Sequence, residues 1–204
     1  AMSVRVKICG ITRIEDAELA VSAGADMIGL NFYAPSPRSL TLERARTIRD
    51  VVGGRCEVAG VFVNAPRGYV AERLRELRLD ALQFHGDEGD QDLAGWPVKV
   101  IRAFRLKSPA AIAAIAGCKA NYVLLDTFHP TLFGGTGVAR PLDGLADVDL
   151  SRAIISGGLT PDNVAEAAAL NPYAVDVASG VESTPGIKDP SKLRSFIANA
   201  KSSR

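Results

Sequence analysis

The chain has only three cysteines, Cys9, Cys56 and Cys118, and only two histidines, His85 and His129. An odd number of widely separated thiols fits neither a disulfide framework nor a zinc site, and two histidines do not supply a metal cluster. A formal net charge of +1 provides no field suited to nucleic acid or to a membrane surface. No apolar run approaches the roughly 20 residues that cross a bilayer. The opening AMSVRVKICG lacks the apolar stretch of a secretory signal, and Ala1, ahead of Met2, reads as an expression remnant. No dinucleotide-type glycine fingerprint follows the first strand-like run. These absences predict a reduced, cytoplasmic, metal-free protein.

What the sequence does contain is alternation. Short apolar, β-branched runs cover Arg5–Cys9, Met27–Phe32, Glu57–Val63, Ala81–Phe84, Val98–Ala103, Tyr122–Asp126, Ala153–Ser156 and Ala174–Ala178. Their lack of polar alternation marks strands buried on both faces. Amphipathic segments lie between them, at Ile14–Ala23, Leu42–Val52, Pro66–Leu77, Gly89–Gly95, Pro109–Gly117, Leu142–Val148, from Thr160 onward, and Pro190–Ala200. Thr12 with Glu15 reads as a capping box for the first helix, and Gly24 as its stop. Thr160-Pro161 reads as the cap and first turn of the seventh. Eight strands alternating with eight helices predict a (β/α)8 TIM barrel over an open doubly wound sheet. The 204 residues suffice for a single TIM-barrel domain spanning 1–204. The glycine- and proline-rich stretch Thr127–Pro141 reads as a functional cover.

In such a barrel the C-terminal strand ends converge on the active face. This places Cys9, Asn31, Asn64, Gln83 with His85, Arg102, Asp126, Ser156 and Asp176 with Ser179 around one pocket. Ser156-Gly157-Gly158 and Ala178-Ser179-Gly180 follow the last two strands, where barrels often seat a phosphate. Cys9, unlike Cys56 and Cys118, is aimed into the pocket, and a nearby positive potential would suit it to act as a general base. Asp126, ending YVLLD, becomes a general acid if burial keeps it protonated. Arg38 lies in the loop FYAPSPRSL, restrained by Pro35 and Pro37, and its guanidinium suits a carboxylate. His85 reads as a base or as a brace of the pocket.

Taken together, these segments resemble the phosphoribosylanthranilate isomerase family of tryptophan biosynthesis. The resemblance is carried by KICGIT at Lys7–Thr12, GLNFYAPSPR at Gly29–Arg38, GVFVN at Gly60–Asn64, QFHG at Gln83–Gly86 and LLDT at Leu124–Thr127. SGGLTPDNV at Ser156–Val164, AVDVASGVES at Ala174–Ser183 and PGIKD at Pro185–Asp189 extend it. The resemblance implies an Amadori rearrangement with Asp126 as general acid and Cys9 as general base. It also implies that Arg38 holds the anthranilate carboxylate and that Gly157, Gly158, Ser179 and Gly180 hold the phosphate, with Gln83, His85 and Asp176 completing the substrate site. No cofactor is implied, because the substrate nitrogen serves as electron sink. The implied partner is a small phosphosugar, with monomer and homodimer both open and no nucleic acid or membrane. Val138–Gly144 departs from the family pattern, lacking its lysine and its tryptophan. A histidine-pathway isomerase with two aspartates, an indole-glycerol-phosphate synthase using a lysine at the mouth, and a non-catalytic phosphosugar-binding barrel are the alternatives. For the second of these Lys7, two residues before Cys9, reads as pointing the wrong way, sharing the face of Cys9 only if it is buried.

Overall fold

The computed structural model of the protein describes residues 4–106, 109–126 and 148–202. Eight parallel strands close into a barrel in chain order. They are β1 (Arg5–Cys9), β2 (Met27–Asn31), β3 (Glu57–Phe62), β4 (Ala81–Phe84), β5 (Lys99–Arg105), β6 (Tyr122–Asp126), β7 (Ala153–Ser156) and β8 (Ala174–Val177). The seam closes by β1 pairing with β8, Arg5 to Ala174 through Ile8 to Val177. Seven described helices pack outside: α1 (Ile14–Ser22), α2 (Leu42–Val52), α3 (Arg67–Leu77), α4 (Asp90–Leu93), α5 (Pro109–Ala116), α6 (Val164–Ala169) and α7 (Pro190–Ser202). The anticipated cover Thr127–Pro141, with His129, and nearly all of the anticipated helix Leu142–Val148 lie outside the described residues.

Helical periodicity explains how the outer ring packs. In α2, Ala45, Ile48 and Val52 are buried along one face, and Thr41 caps the start by accepting from the Arg44 N–H. In α7 the buried stripe is Leu193, Phe196, Ile197 and Ala200, the i, i+3, i+4, i+7 pattern of a core-facing helix. Two caps differ from the sequence expectation. Thr12 does not cap α1, where Arg13 stands at the cap without a side-chain bond. The Thr12 hydroxyl donates instead to the Gly186 carbonyl at 2.5 Å, a tie between distant segments that competes with the local one. Nor does α6 begin at Thr160. Asn163 Oδ1 accepts from the Thr160 N–H at 2.8 Å, folding 160–163 into a turn ahead of the first regular residue, Val164.

The barrel interior is layered. Near the N-terminal ends, Glu57 pairs with Arg5 at 2.9 Å and with Lys99 at 2.6 Å, and Tyr122 stacks on Tyr173. Above them Met27, Ala59, Ala81, Ile101, Ala103, Leu124, Ile154 and Ala174 form a dry layer. The uppermost layer is polar. Between sheet and helices runs the larger apolar shell, in which Phe62 stacks on Phe32 and meets Phe84 and Tyr69.

After β8 the chain adds a 3-10 turn, Ser179–Val181, and an antiparallel hairpin, β9 (Glu182–Thr184) with β10 (Ile187–Lys188). The sequence reading did not anticipate this hairpin. Cys118 is buried and Cys56 half-buried, both free. They precede β6 and β3 respectively, at the barrel end opposite the strand tips where Cys9 lies, as expected.

Phe62 is fully buried and faces away from the barrel interior, so Phe62→Ala should cost about 3–5 kcal/mol. The loss will appear as a lower urea midpoint, with Michaelis constants of the folded protein unchanged. Burial pushes the Cys56 thiol up to about 11. At pH 8 iodoacetamide should therefore spare Cys56 in native protein and modify it after denaturation. Peptide mass spectrometry of both samples measures the difference, and rapid native labelling would contradict it.

Candidate active site

A cavity of about 300 Å³ opens at the C-terminal rim of the barrel. Its lining includes Cys9, Arg38, Gln83, His85, Asp126, Gly157, Gly158, Asp176, Ser179 and Gly180. The ten residues given catalytic or substrate-binding roles in the sequence reading thus line one cavity. Parity explains much of this: Cys9, Asp126 and Asp176 alternate with residues of the outer shell, so they point inward. Cys9 finds room because its partner in register is Gly29. A Cβ at Gly29 would lie 2.7 Å from the Cys9 sulfur.

Under the cavity lies a buried ion pair. Lys7 Nζ donates to Asp176 Oδ1 at 2.7 Å, and Ser156 Oγ donates to Asp176 Oδ2 at 2.8 Å. Lys7 thus shares the face of Cys9 and is sealed beneath it, 1% exposed. Burial works against its charge, but the Asp176 carboxylate and the Cys9 sulfur outweigh burial and hold its pKa above the ordinary lysine range. A lysine used up in this pair is not at the mouth, where an indole-glycerol-phosphate synthase mechanism would need it.

On the far wall, His85 Nε2 lies 3.7 Å from Asp126 Oδ2, and Gln83 Nε2 lies 3.2 Å from His85 Nδ1. With the Gln83 amide donating, the network assigns the ring proton to Nε2, facing Asp126. His85 therefore stands between Gln83 and Asp126 on this wall of the cavity. Gln83 Oε1 is buried and has no hydrogen-bond partner among the described residues.

Arg38 reaches the cavity across Gly10, where any Cβ would overlap its side-chain Cδ. Its two-pronged carboxylate contact, expected for a ligand, is made with Glu182: Nε to Oε1 at 2.8 Å and Nη2 to Oε2 at 2.6 Å. Glu182 in turn accepts from Lys188 Nζ at 3.0 Å. Neither Glu182 nor Lys188 was singled out in the sequence, although both fall in motifs quoted above. The available signal was Pro185-Gly186 between two short polar–apolar runs, which marks a hairpin turn.

The glycine loops are shaped by backbone need. Gly157 and Gly158 have φ of 87° and 67°, a left-handed pair that side chains disfavour. Gly180 packs directly on the Leu159 carbonyl, so the two loops touch through a position without a side chain. Because α6 starts only at Val164 and is six residues long, the backbone N–H groups at this corner belong to the turns and not to that helix.

Two expected members of the pocket belong elsewhere. Arg102 lies between Ile101 and Ala103, which face the barrel interior, so alternation turns it outward, where it pairs with Glu88 at 2.7 Å. Asn64 lies beyond the end of β3 with φ of 49° and accepts from the Asp87 N–H. Both line a neighbouring cavity of about 380 Å³ that shares His85.

This arrangement of thiol, carboxyl, guanidinium and glycine loops can be set beside known proteins. A family model described as N-(5'phosphoribosyl)anthranilate (PRA) isomerase matches residues 6–199. The N-(5'-phosphoribosyl)anthranilate isomerase of Pseudomonas fluorescens is 50% identical over 199 residues, 96% of this chain and 94% of the relative. The crystal structure of phosphoribosyl anthranilate isomerase from Thermotoga maritima superposes with a TM-score of 0.87 at 36% identity, covering 98% of this chain and 99% of that one. A phosphoribosyl anthranilate isomerase in complex with reduced 1-(o-carboxyphenylamino)-1-deoxyribulose 5-phosphate superposes with a TM-score of 0.84 at the same identity and coverage. The family model over residues 6–199 and relatives matched over nearly the whole chain show that the chain belongs to the N-(5'-phosphoribosyl)anthranilate isomerase family.

Proposed function

We propose that the chain, acting as a single domain, isomerises N-(5'-phosphoribosyl)anthranilate to 1-(2-carboxyphenylamino)-1-deoxyribulose 5-phosphate, a step of tryptophan biosynthesis. In formal terms it is an intramolecular aldose–ketose conversion. The observation that carries this reading is that Cys9 of β1 and Asp126 of β6 line one cavity. Its volume, about 300 Å³, lies at the small end of ligand-site sizes.

The phosphate sits on the backbone of Gly157, Gly158, Ser179 and Gly180. That anchor lays the pentose across the barrel axis, with Asp126 at the ring oxygen. Asp126 gives its proton to that oxygen as the bond from the oxygen to C1 breaks, and the nitrogen lone pair forms the C1=N bond. Cys9 then takes the proton from C2, and the released electron pair forms the C1=C2 bond of an enolamine while the iminium becomes an amine. Tautomerisation, with a proton added at C1 and one lost from the C2 hydroxyl, gives the ketone. His85 and Gln83 orient the aspartate, and Arg38 receives the anthranilate carboxylate. The Lys7–Asp176 pair keeps a positive centre beneath the sulfur when the sulfur carries charge as a base. Each proton-transfer group of this kind contributes typically 10² to 10⁴ in rate.

Cys9→Ala and Asp126→Asn should each lower kcat by about 10² or more while thermal unfolding stays near that of the parent. The decay of anthranilate-ring fluorescence on substrate turnover measures the rate, and near-parental turnover in both variants would end the acid/base assignment. Arg38→Ala should weaken ligands bearing the ring carboxylate more than bare pentose phosphates. Competitive inhibition constants for the two classes decide this, and equal losses would remove Arg38 from the carboxylate role.

A further inference from the structure

Behind Arg38 stands a sealed cluster that the proton-transfer chemistry does not use. Lys188 Nζ has three protons and three acceptors: the Cys9 carbonyl at 2.6 Å, the Ala178 carbonyl at 3.1 Å and Glu182 Oε1 at 3.0 Å. Its side chain is fully buried, and that of Glu182 is 4% exposed. Both Glu182 oxygens are engaged by Arg38, through Nε and Nη2. A guanidinium offers five N–H groups in a rigid plane. With Nε and one Nη2 proton bound on the inner edge, the outer edge keeps N–H groups on both Nη1 and Nη2. This is the fork that matches a second carboxylate.

Charge supports the same conclusion. An arginine paired with a glutamate alone is neutral, a poor receptor for an anion. Lys188 restores one net positive charge to the trio, and this charge is held where water screens it little. Burial pushes Lys188 below the ordinary lysine range, against the pull of Glu182. Burial also works to raise the Glu182 carboxyl, but Arg38 and Lys188 together hold it below its usual value. The backbone N–H of Lys188 is bound separately, by the buried Asp16 at 3.1 Å.

We propose that Glu182, locked by Lys188, is a positioning residue that presents the outer edge of Arg38 to the carboxylate of the substrate ring. This rests on the carboxylate role given to Arg38 above. The same ammonium holds the backbone of Cys9 and the residue leading into the Ser179–Gly180 loop. Base, phosphate seat and carboxylate seat are therefore set relative to one another by one buried cation.

The test uses two probes, reduced 1-(2-carboxyphenylamino)-1-deoxyribulose 5-phosphate and its phenylamino analogue without the ring carboxylate, titrated calorimetrically against the full chain. Glu182→Gln should loosen the carboxylated ligand about tenfold, about 1.4 kcal/mol, and leave the analogue within about twofold. Glu182→Asp, which keeps the charge but withdraws the fork by a methylene, should show the same selective loss. In an Arg38→Ala background, Glu182→Gln should add nothing for the carboxylated ligand, because it acts through the arginine. If Arg38→Ala is selective and both Glu182 variants bind the two probes as the parent does, the positioning role is overturned while the carboxylate seat stands. If Arg38→Ala shows no selectivity, the seat itself is wrong and the positioning role falls with it. Parallel loosening of both probes, or failure of both Glu182 variants to fold, makes Glu182 a scaffold residue and also overturns the proposal.

Discussion

The barrel closes where β1 meets β8, and the register of that seam sets Lys7 opposite Asp176. Their side chains form an ion pair within the barrel, 1% and 6% exposed. A buried pair of this kind costs several kcal/mol to desolvate per ion, and an apolar pair of similar volume is often as stable or better. It is also specific: a shift of β1 by one residue would turn Lys7 into the outer apolar shell and Cys9 away from the cavity. The polar roof of the interior, on which the site stands, is thus tied to the one strand pairing that makes the sheet continuous.

Above this seam, small residues decide what fits. Gly29 gives space to the Cys9 sulfur, Gly10 to the stem of Arg38, and Gly180 to the Leu159 carbonyl. Each removes a Cβ where two functional segments meet. Below it, Ala59, Ala81, Ala103 and Ala174 pack together with Met27, Ile101, Leu124 and Ile154 in one buried apolar layer, and this layer is the floor of the cavity. The chemistry needs that floor, because protons must move among a few groups and not into water.

Much of this was legible from the chain itself. Continuous apolar runs ending in a polar residue located the strand tips, and the eight-fold repeat supplied the closed sheet. Cys9 and Asp126 followed from those two facts. Arg102 did not, because it sits one place out of step with the inward-facing Ile101 and Ala103, and being near a strand tip does not override that alternation. Asn64 was misplaced for a different reason: it lies in the turn after β3, where alternation no longer applies. Thr12 looked like a cap because local patterns ignore Gly186, 174 residues away. Lys7, Glu182 and Lys188 were least legible of all. Charged residues are expected at the surface, and only tertiary pairing brings these three inside.

The hairpin β9–β10 lies near the end of the chain, after every strand of the barrel has been made. It supplies the carboxylate and the ammonium that Arg38 and the Cys9 carbonyl lean on. During synthesis on the ribosome, Cys9 and Asp126 emerge before Glu182 and Lys188. A chain with β1 to β8 in place but without Glu182 and Lys188 would keep Cys9 and Asp126 at the barrel rim and leave Arg38 without its brace. Whatever Arg38 holds on its outer edge is therefore steadied by a segment that follows the last barrel strand.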